Sequence, residues 1–227
     1  PGRFCSEYAP EEWSAQYGTK QYAFGIWSLF FGTSCMIFYF PAFVVFTRER
    51  ALTCFKIMRF HVVVDIVGIC ATSILFGILL LKGAVFCSDP ILTIIAGSLA
   101  YGIWCVSSVV CLLLIVNRIC ELLDRSHLLK GWRSTMVLMC AIVYGICMPM
   151  FTRPYSVNSR RLSIFKNPFI PGREAHEYMN IPHDVHNAVA ILLIPLLYLV
   201  FCMIVCKLSV FTQASIVSFI YVTGAIM

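Results

Sequence analysis

Between residues 22 and 227 the chain falls into six long apolar runs, 22–46, 60–81, 90–116, 134–151, 188–206 and 208–227, separated by polar stretches that hold nearly all of the charge. An α-helix rising about 1.5 Å per residue needs roughly 20 residues to cross a hydrocarbon core of about 30 Å, and each run is close to that length. The pattern predicts an all-α, multi-pass transmembrane helical bundle. Strands of a membrane barrel would alternate apolar and polar positions over about 10 residues. The stretches 70–81 and 109–116 are instead apolar on every face, as helices buried in lipid are. Residues 1–21 form a polar N-terminal segment and 152–187 a long loop.

Composition sharpens this picture. Hydrophobic residues make up 60% and charged residues 12% of the 227 residues, far from the balance of a water-soluble domain. The net charge of +6 sits between the apolar runs rather than in one basic stripe, so no nucleic-acid partner is expected. The first 21 residues carry Arg3, Glu7, Glu11 and Glu12 and no short apolar core, so no signal peptide is expected and the first span serves as its own insertion signal. An end on an apolar run with no polar tail leads us to expect a fragment or a truncated gene model.

Orientation follows from the basic residues. Loop 47–59 carries Arg48, Arg50, Lys56 and Arg59, and loop 117–133 carries Arg118, Arg125, Lys130 and Arg133, whereas Lys82 alone serves the short loop between them. Cationic short loops stay in the cytoplasm, which places the N-terminus outside. The five cations of 152–186 oppose this reading, but a long loop counts for less than charge beside helix ends. Of the twelve cysteines, only Cys5 and Cys87 then face an oxidising exterior, either bridged or as two free thiols.

Few residues inside the spans carry chemistry. Asp65 is an ionisable side chain well below the interface, about 13 Å from the Lys56 end of its helix, where an unpaired carboxylate costs a few kcal/mol. Ser107 lies about 16 Å from the Arg118 end of the next span, so the two are expected to meet, with Ser107 donating to the carboxylate. The pair reads either as a polar pivot holding a cation or proton between two states or as a contact that fixes helix rotation. His61, one turn away, is a second candidate partner. Asn117 and Arg118 close the third span, where a cation either snorkels to headgroups or meets the negative end of an incoming helix. Pro41, Pro149 and Pro195 interrupt spans and open space between helices. Tyr101, Trp104 and Asn187 are the candidate ligand-binding residues of such a space in the outer half, which suits a small, largely uncharged molecule. His183 and His186 flank Asp184, but no third ligand is evident and no metal is expected. Asn180 instead reads as a helix cap. No cofactor or enzyme motif is recognisable.

Taken together, Cys5-Ser6, Glu12-Trp13, Tyr39-Phe40-Pro41, Cys54-Phe55-Lys56-Ile57-Met58, Asp65, Gly83-Ala84-Val85-Phe86-Cys87, Pro90, Gly97, Trp104, Asn117-Arg118, Gly131-Trp132, Phe165, Pro168 and Tyr178-Met179-Asn180-Ile181-Pro182-His183 resemble the nematode serpentine chemoreceptors of class T, the Srt family. The resemblance implies a G-protein-coupled receptor with rhodopsin-like topology, here cut to about six spans, in the plasma membrane of a sensory neuron or its cilium. It implies a small chemical ligand and a heterotrimeric G protein as partners, besides the lipid bilayer. Asn117-Arg118 is similar to the Asp/Glu-Arg-Tyr switch of rhodopsin-like receptors, and Asp65 with Ser107 to their sodium site. The loop 152–186 lacks the cysteine that such receptors pair with the third helix, which makes Cys5 the candidate partner of Cys87. The competing class is a channel or transporter with Asp65 on a water path, although neither an internal repeat nor paired broken helices are evident.

Overall fold

The computed structural model describes residue 5 and residues 8–49, 52–153 and 155–207. The expected sixth span, 208–227, lies outside the described residues. A short helix α1 (Pro10–Tyr17) precedes α2 (Tyr22–Arg48) and α3 (Thr53–Ile69), which runs through a π-helical turn (Cys70–Leu75) into α4 (Phe76–Lys82). Then come α5 (Pro90–Leu122), α6 (Trp132–Phe151), an antiparallel hairpin of β1 (Ser156–Asn158) and β2 (Ser163–Phe165), and α7 (Ile181–Lys207). Among the described residues five helices are long and apolar enough to cross a membrane: Tyr22–Arg48, Thr53–Lys82, Pro90–Leu122, Trp132–Phe151 and Ile181–Val205.

These rods overrun the apolar runs at several ends. Hydropathy marks the segment that lipid will solvate, whereas the backbone stays helical for as long as its ends are capped. At the start of the second rod Lys56 belongs to the helix and reaches across to the Gly131 carbonyl and the Ser134 hydroxyl, each 3.0 Å away. Helix α7 begins at Ile181, well ahead of residue 188, because Oδ1 of Asn180 accepts the His183 amide at 3.1 Å. At α5, Pro90 fills the first turn and Asp89 accepts the Leu92 amide at 3.2 Å.

Helix α5 is the central element and packs against α3, α6, α7 and β1. Its contact with α6 is close because Gly102 faces Gly145: a Cβ on Gly102 would lie 2.5 Å from the Gly145 carbonyl oxygen. Ile57, Val106, Val110, Leu113, Leu138 and Ala141 form one apolar core between α3, α5 and α6. Among the described residues, α2 and α7 leave Trp27, Phe30, Phe38, Phe40, Leu192 and Leu196 exposed, an apolar surface of the kind that membrane helices carry.

The π-helical turn leaves carbonyls out of the regular ladder. Ser28 of α2 donates to the Ser73 carbonyl at 2.9 Å, which ties the irregular turn to the neighbouring helix. At the end of the bundle where α4 stops and α5 starts, the chain folds into a cap. A disulfide joins Cys5 to Cys87, Trp13 of α1 is buried, and Ser14 donates to the Gly83 carbonyl at 2.8 Å. Beyond Gly83, whose φ of 72° ends α4, the Ser159 amide donates to the Ala84 carbonyl at 3.0 Å. Strand β1 is buried throughout and rests on α5 at Gly97, where an added Cβ would stand 2.0 Å from the Tyr155 carbonyl oxygen.

Candidate functional site

Three polar groups are distributed along α5. The first lies at mid-depth. Tyr39 of α2 donates to Oδ2 of Asp65 at 3.0 Å, and Nε2 of His61 stands 3.6 Å from Oδ1. The same His61 nitrogen lies 2.9 Å from the Ser107 hydroxyl of α5. The expected direct bond from Ser107 to Asp65 is therefore not the one formed, because His61 stands between the two. Four side chains link α2, α3 and α5 in one chain, and the carboxylate points toward the bundle and Tyr39 rather than out to lipid. Sequence reasoning missed Tyr39 as its partner, although Tyr39 is as far from Arg48 as Asp65 is from Lys56, which puts both at one depth.

The second group lies in the N-terminal half of α5. Tyr101 is buried, its ring 4.7 Å from that of His183 and 5.3 Å from that of Tyr155. The Tyr155 hydroxyl meets Nδ1 of His183 at 2.6 Å. Trp104 donates its indole N–H to Oδ1 of Asn187 at 2.8 Å, and this assignment turns the Asn187 amide nitrogen toward the same His183 Nδ1, 3.4 Å away. Both neighbours are then donors, so Nδ1 is the acceptor of the ring and Nε2 carries its proton. Burial pushes the Tyr155 phenol up from its ordinary range, which keeps the hydroxyl protonated. Beside this group Tyr144 meets Nδ1 of His186 at 2.9 Å, and Asn180 donates to Thr152 at 3.0 Å and to the Arg153 carbonyl at 2.9 Å.

The structure thus brings the expected Tyr101, Trp104 and Asn187 into one network and adds Tyr155 and His183. Tyr155 carried no signal in the sequence, since it lies in a loop far from α5 in the chain. Trp104 is half-exposed on the flank of α5. Among the described residues no cluster of three or more metal-ligating side chains occurs, and the two histidines of 183–186 each engage a tyrosine.

The third group closes the opposite end. Asn117 is buried and donates to Oε1 of Glu121 at 2.8 Å, while Arg118 donates to Oε2 of the same carboxylate at 3.2 Å. One glutamate holds both residues, three and four positions along the same helix. Glu121 escaped the sequence reading because it lies beyond the apolar run. Cys87 lies three residues before the start of α5 and Arg118 in its last turns, so a helix about 50 Å long separates the two ends.

A helical membrane bundle with an aromatic and histidine cluster under a disulfide-tied cap at one end, and an arginine paired with a glutamate at the other, has the architecture of a polytopic receptor. The family model for the serpentine type 7TM GPCR chemoreceptor Srt matches residues 4–226, and the chain belongs to that family of G-protein-coupled chemoreceptors. Serpentine receptor class T-55 of Caenorhabditis elegans is 24% identical over 204 residues, covering 87% of this chain and 56% of that protein. The chain therefore spans little more than half the length of that curated relative. No solved structure matches.

Proposed function

We propose that the chain carries the ligand-facing outer half and much of the G-protein-facing inner half of a chemosensory receptor, with its N-terminus outside the plasma membrane, as in the cilium of a sensory neuron. The observation that carries this reading is the arrangement along α5. One unbroken helix bears Tyr101 and Trp104 at its outer end, Ser107 at mid-depth, and Asn117 and Arg118 at its inner end. A small cue that meets Tyr101, Trp104 and Asn187 more favourably in one rotation or tilt of α5 than in another biases the whole rod. The chain from Tyr39 through Asp65 and His61 to Ser107 is the pivot of that motion. Arg118, held by Glu121 at rest, is the group that meets the partner, a heterotrimeric G protein, at the C-terminal end of an inserted helix.

The test is nucleotide exchange by purified G protein on the full-length receptor in nanodiscs, read with and without a panel of small volatile and water-soluble compounds. Cue-dependent exchange supports the reading. Ion or solute flux across liposomes without exchange would replace it with a channel or transporter in which Asp65 lines a water path.

A further inference from the structure

A cavity of about 410 Å³ lies beneath the outer loop, beside the top of α5 rather than between the spans. Its walls include Phe86, Tyr155, Pro168 and Tyr178, and are mostly apolar and aromatic. Two polar features interrupt them. Ser156, at 4% exposure, has a buried hydroxyl that meets no hydrogen-bond partner among the described residues. Arg153, at the mouth, is the other: its guanidinium lies 6.0 Å from the Tyr178 ring centroid and has no carboxylate within ion-pairing distance among the described residues. The remaining cations of the rim are already engaged, Lys166 by Asp184 and Arg173 by Glu177.

A buried hydroxyl without a partner is costly to keep, and alanine in its place would cost nothing. The Arg153 guanidinium, which lines the same cavity and meets no carboxylate among the described residues, supplies a positive charge and a fork of donors. Apolar and aromatic walls, a hydroxyl buried just behind them and, at the mouth, a cation that meets no carboxylate among the described residues fit an amphiphilic anion. We propose that this outer cavity binds small organic carboxylates with an apolar or aromatic body, the carboxylate held by Arg153 and Ser156 and the body lying on Phe86 and Tyr178. The site touches the candidate receptor network through Tyr155, whose ring lines the cavity and whose hydroxyl meets His183. Its meaning as a cue site rests on the receptor reading, but the binding itself does not. A charged ligand class also departs from the largely uncharged molecule that the composition of the spans suggests.

The experiment compares phenylacetate, 2-phenylethanol and phenethylamine as probes of one shape and three head groups. Binding to the full-length protein is titrated by saturation-transfer NMR in nanodiscs of zwitterionic phosphatidylcholine, with no G protein present, so that neither anionic headgroups nor coupling enters. Phenylacetate is expected to bind at least about 10-fold more tightly than the alcohol, and the amine not to bind, because only the acid forms a charge-assisted bond. Arg153→Gln should abolish the preference for the acid. Ser156→Ala should weaken phenylacetate while leaving the thermal transition of the free protein unchanged or higher. Arg160→Gln, whose side chain is exposed and does not line the cavity, should change nothing. Equal binding of acid and alcohol, retention of the preference in Arg153→Gln, or no binding of phenylacetate to folded protein would each overturn the proposal. A protein that binds phenylacetate yet never stimulates nucleotide exchange would keep this site and remove the receptor reading instead.

Discussion

Tyr39 of α2 and Asp65 of α3 are joined by a hydrogen bond of 3.0 Å at mid-depth, and the second oxygen of the carboxylate faces His61. Removing one partner from such a contact leaves the other polar group stranded in a medium without water. Tyr39→Phe should therefore lower stability by about 1–2 kcal/mol, measured as thermal unfolding in detergent with a thiol-reactive dye. In the double variant with Asp65→Asn, the losses should fall short of their sum by about 1 kcal/mol, as coupled polar pairs in membranes do. Strictly additive losses would show that the bond does not form.

Gly97 lets the outer loop descend onto α5, and the atom an added Cβ would strike is a backbone carbonyl, which cannot swing aside like the end of a side chain. Gly97→Ala should push the segment around Tyr155 outward at a cost of about 1–3 kcal/mol. Hydrogen exchange should then rise in β1 and at the start of α7 together, because Tyr155 and His183 are linked. An exchange pattern identical to that of the parent chain would refute the close approach.

The bridge between Cys5 and Cys87 spans a sequence separation of 82 residues. Chain-entropy arithmetic for a loop of that length in water gives about 4.5 kcal/mol, and less here because the intervening spans are already confined by the bilayer. Nonreducing peptide mapping should recover the two cysteines in one fragment. Cys87→Ser should raise the solvent accessibility of Trp13, read by acrylamide quenching, with a smaller loss of stability than the soluble-chain figure. Recovery of both thiols in free form would dispose of the bridge.

Glu121 holds Arg118 at 3.2 Å, a half-exposed pair three residues apart. Pairs of this kind contribute about 0.3–0.5 kcal/mol, so Glu121→Gln should raise basal nucleotide exchange only about twofold. Arg118→Ala should abolish cue-dependent exchange with little change in the thermal transition. If Glu121→Gln lowered basal exchange, the carboxylate would be assisting the partner instead of restraining the arginine.

Much of the fold was legible because lipid constrains each segment separately: a span must satisfy its own backbone and be apolar outward, and both demands appear in local composition. Segments 22–46 and 134–151 accordingly lie within α2 and α6. The ends were less legible, since Asn180 and Lys56 extend helices through side-chain bonds that hydropathy does not register. The π-helical turn at Cys70–Leu75 left no trace in a run that is apolar on all sides, and Ser28, whose hydroxyl accommodates it, lies on another helix. At the site, Asp65, Ser107, Tyr101, Trp104 and Asn187 stood out as polar or aromatic residues in apolar surroundings. Tyr39 and Tyr155, by contrast, are partners only through packing.

By itself the sequence determined that this protein lives in a bilayer as a bundle of helices, and it determined its family, because the cost of burying polar groups in hydrocarbon is charged residue by residue. Tertiary structure alone decided that His61 stands between Asp65 and Ser107, that one glutamate holds Asn117 and Arg118, and that the hairpin rests on the start of α5 at Gly97. Those facts depend on the rotation of each helix about its axis and the descent of a loop, which are fixed by contacts between residues far apart in the chain.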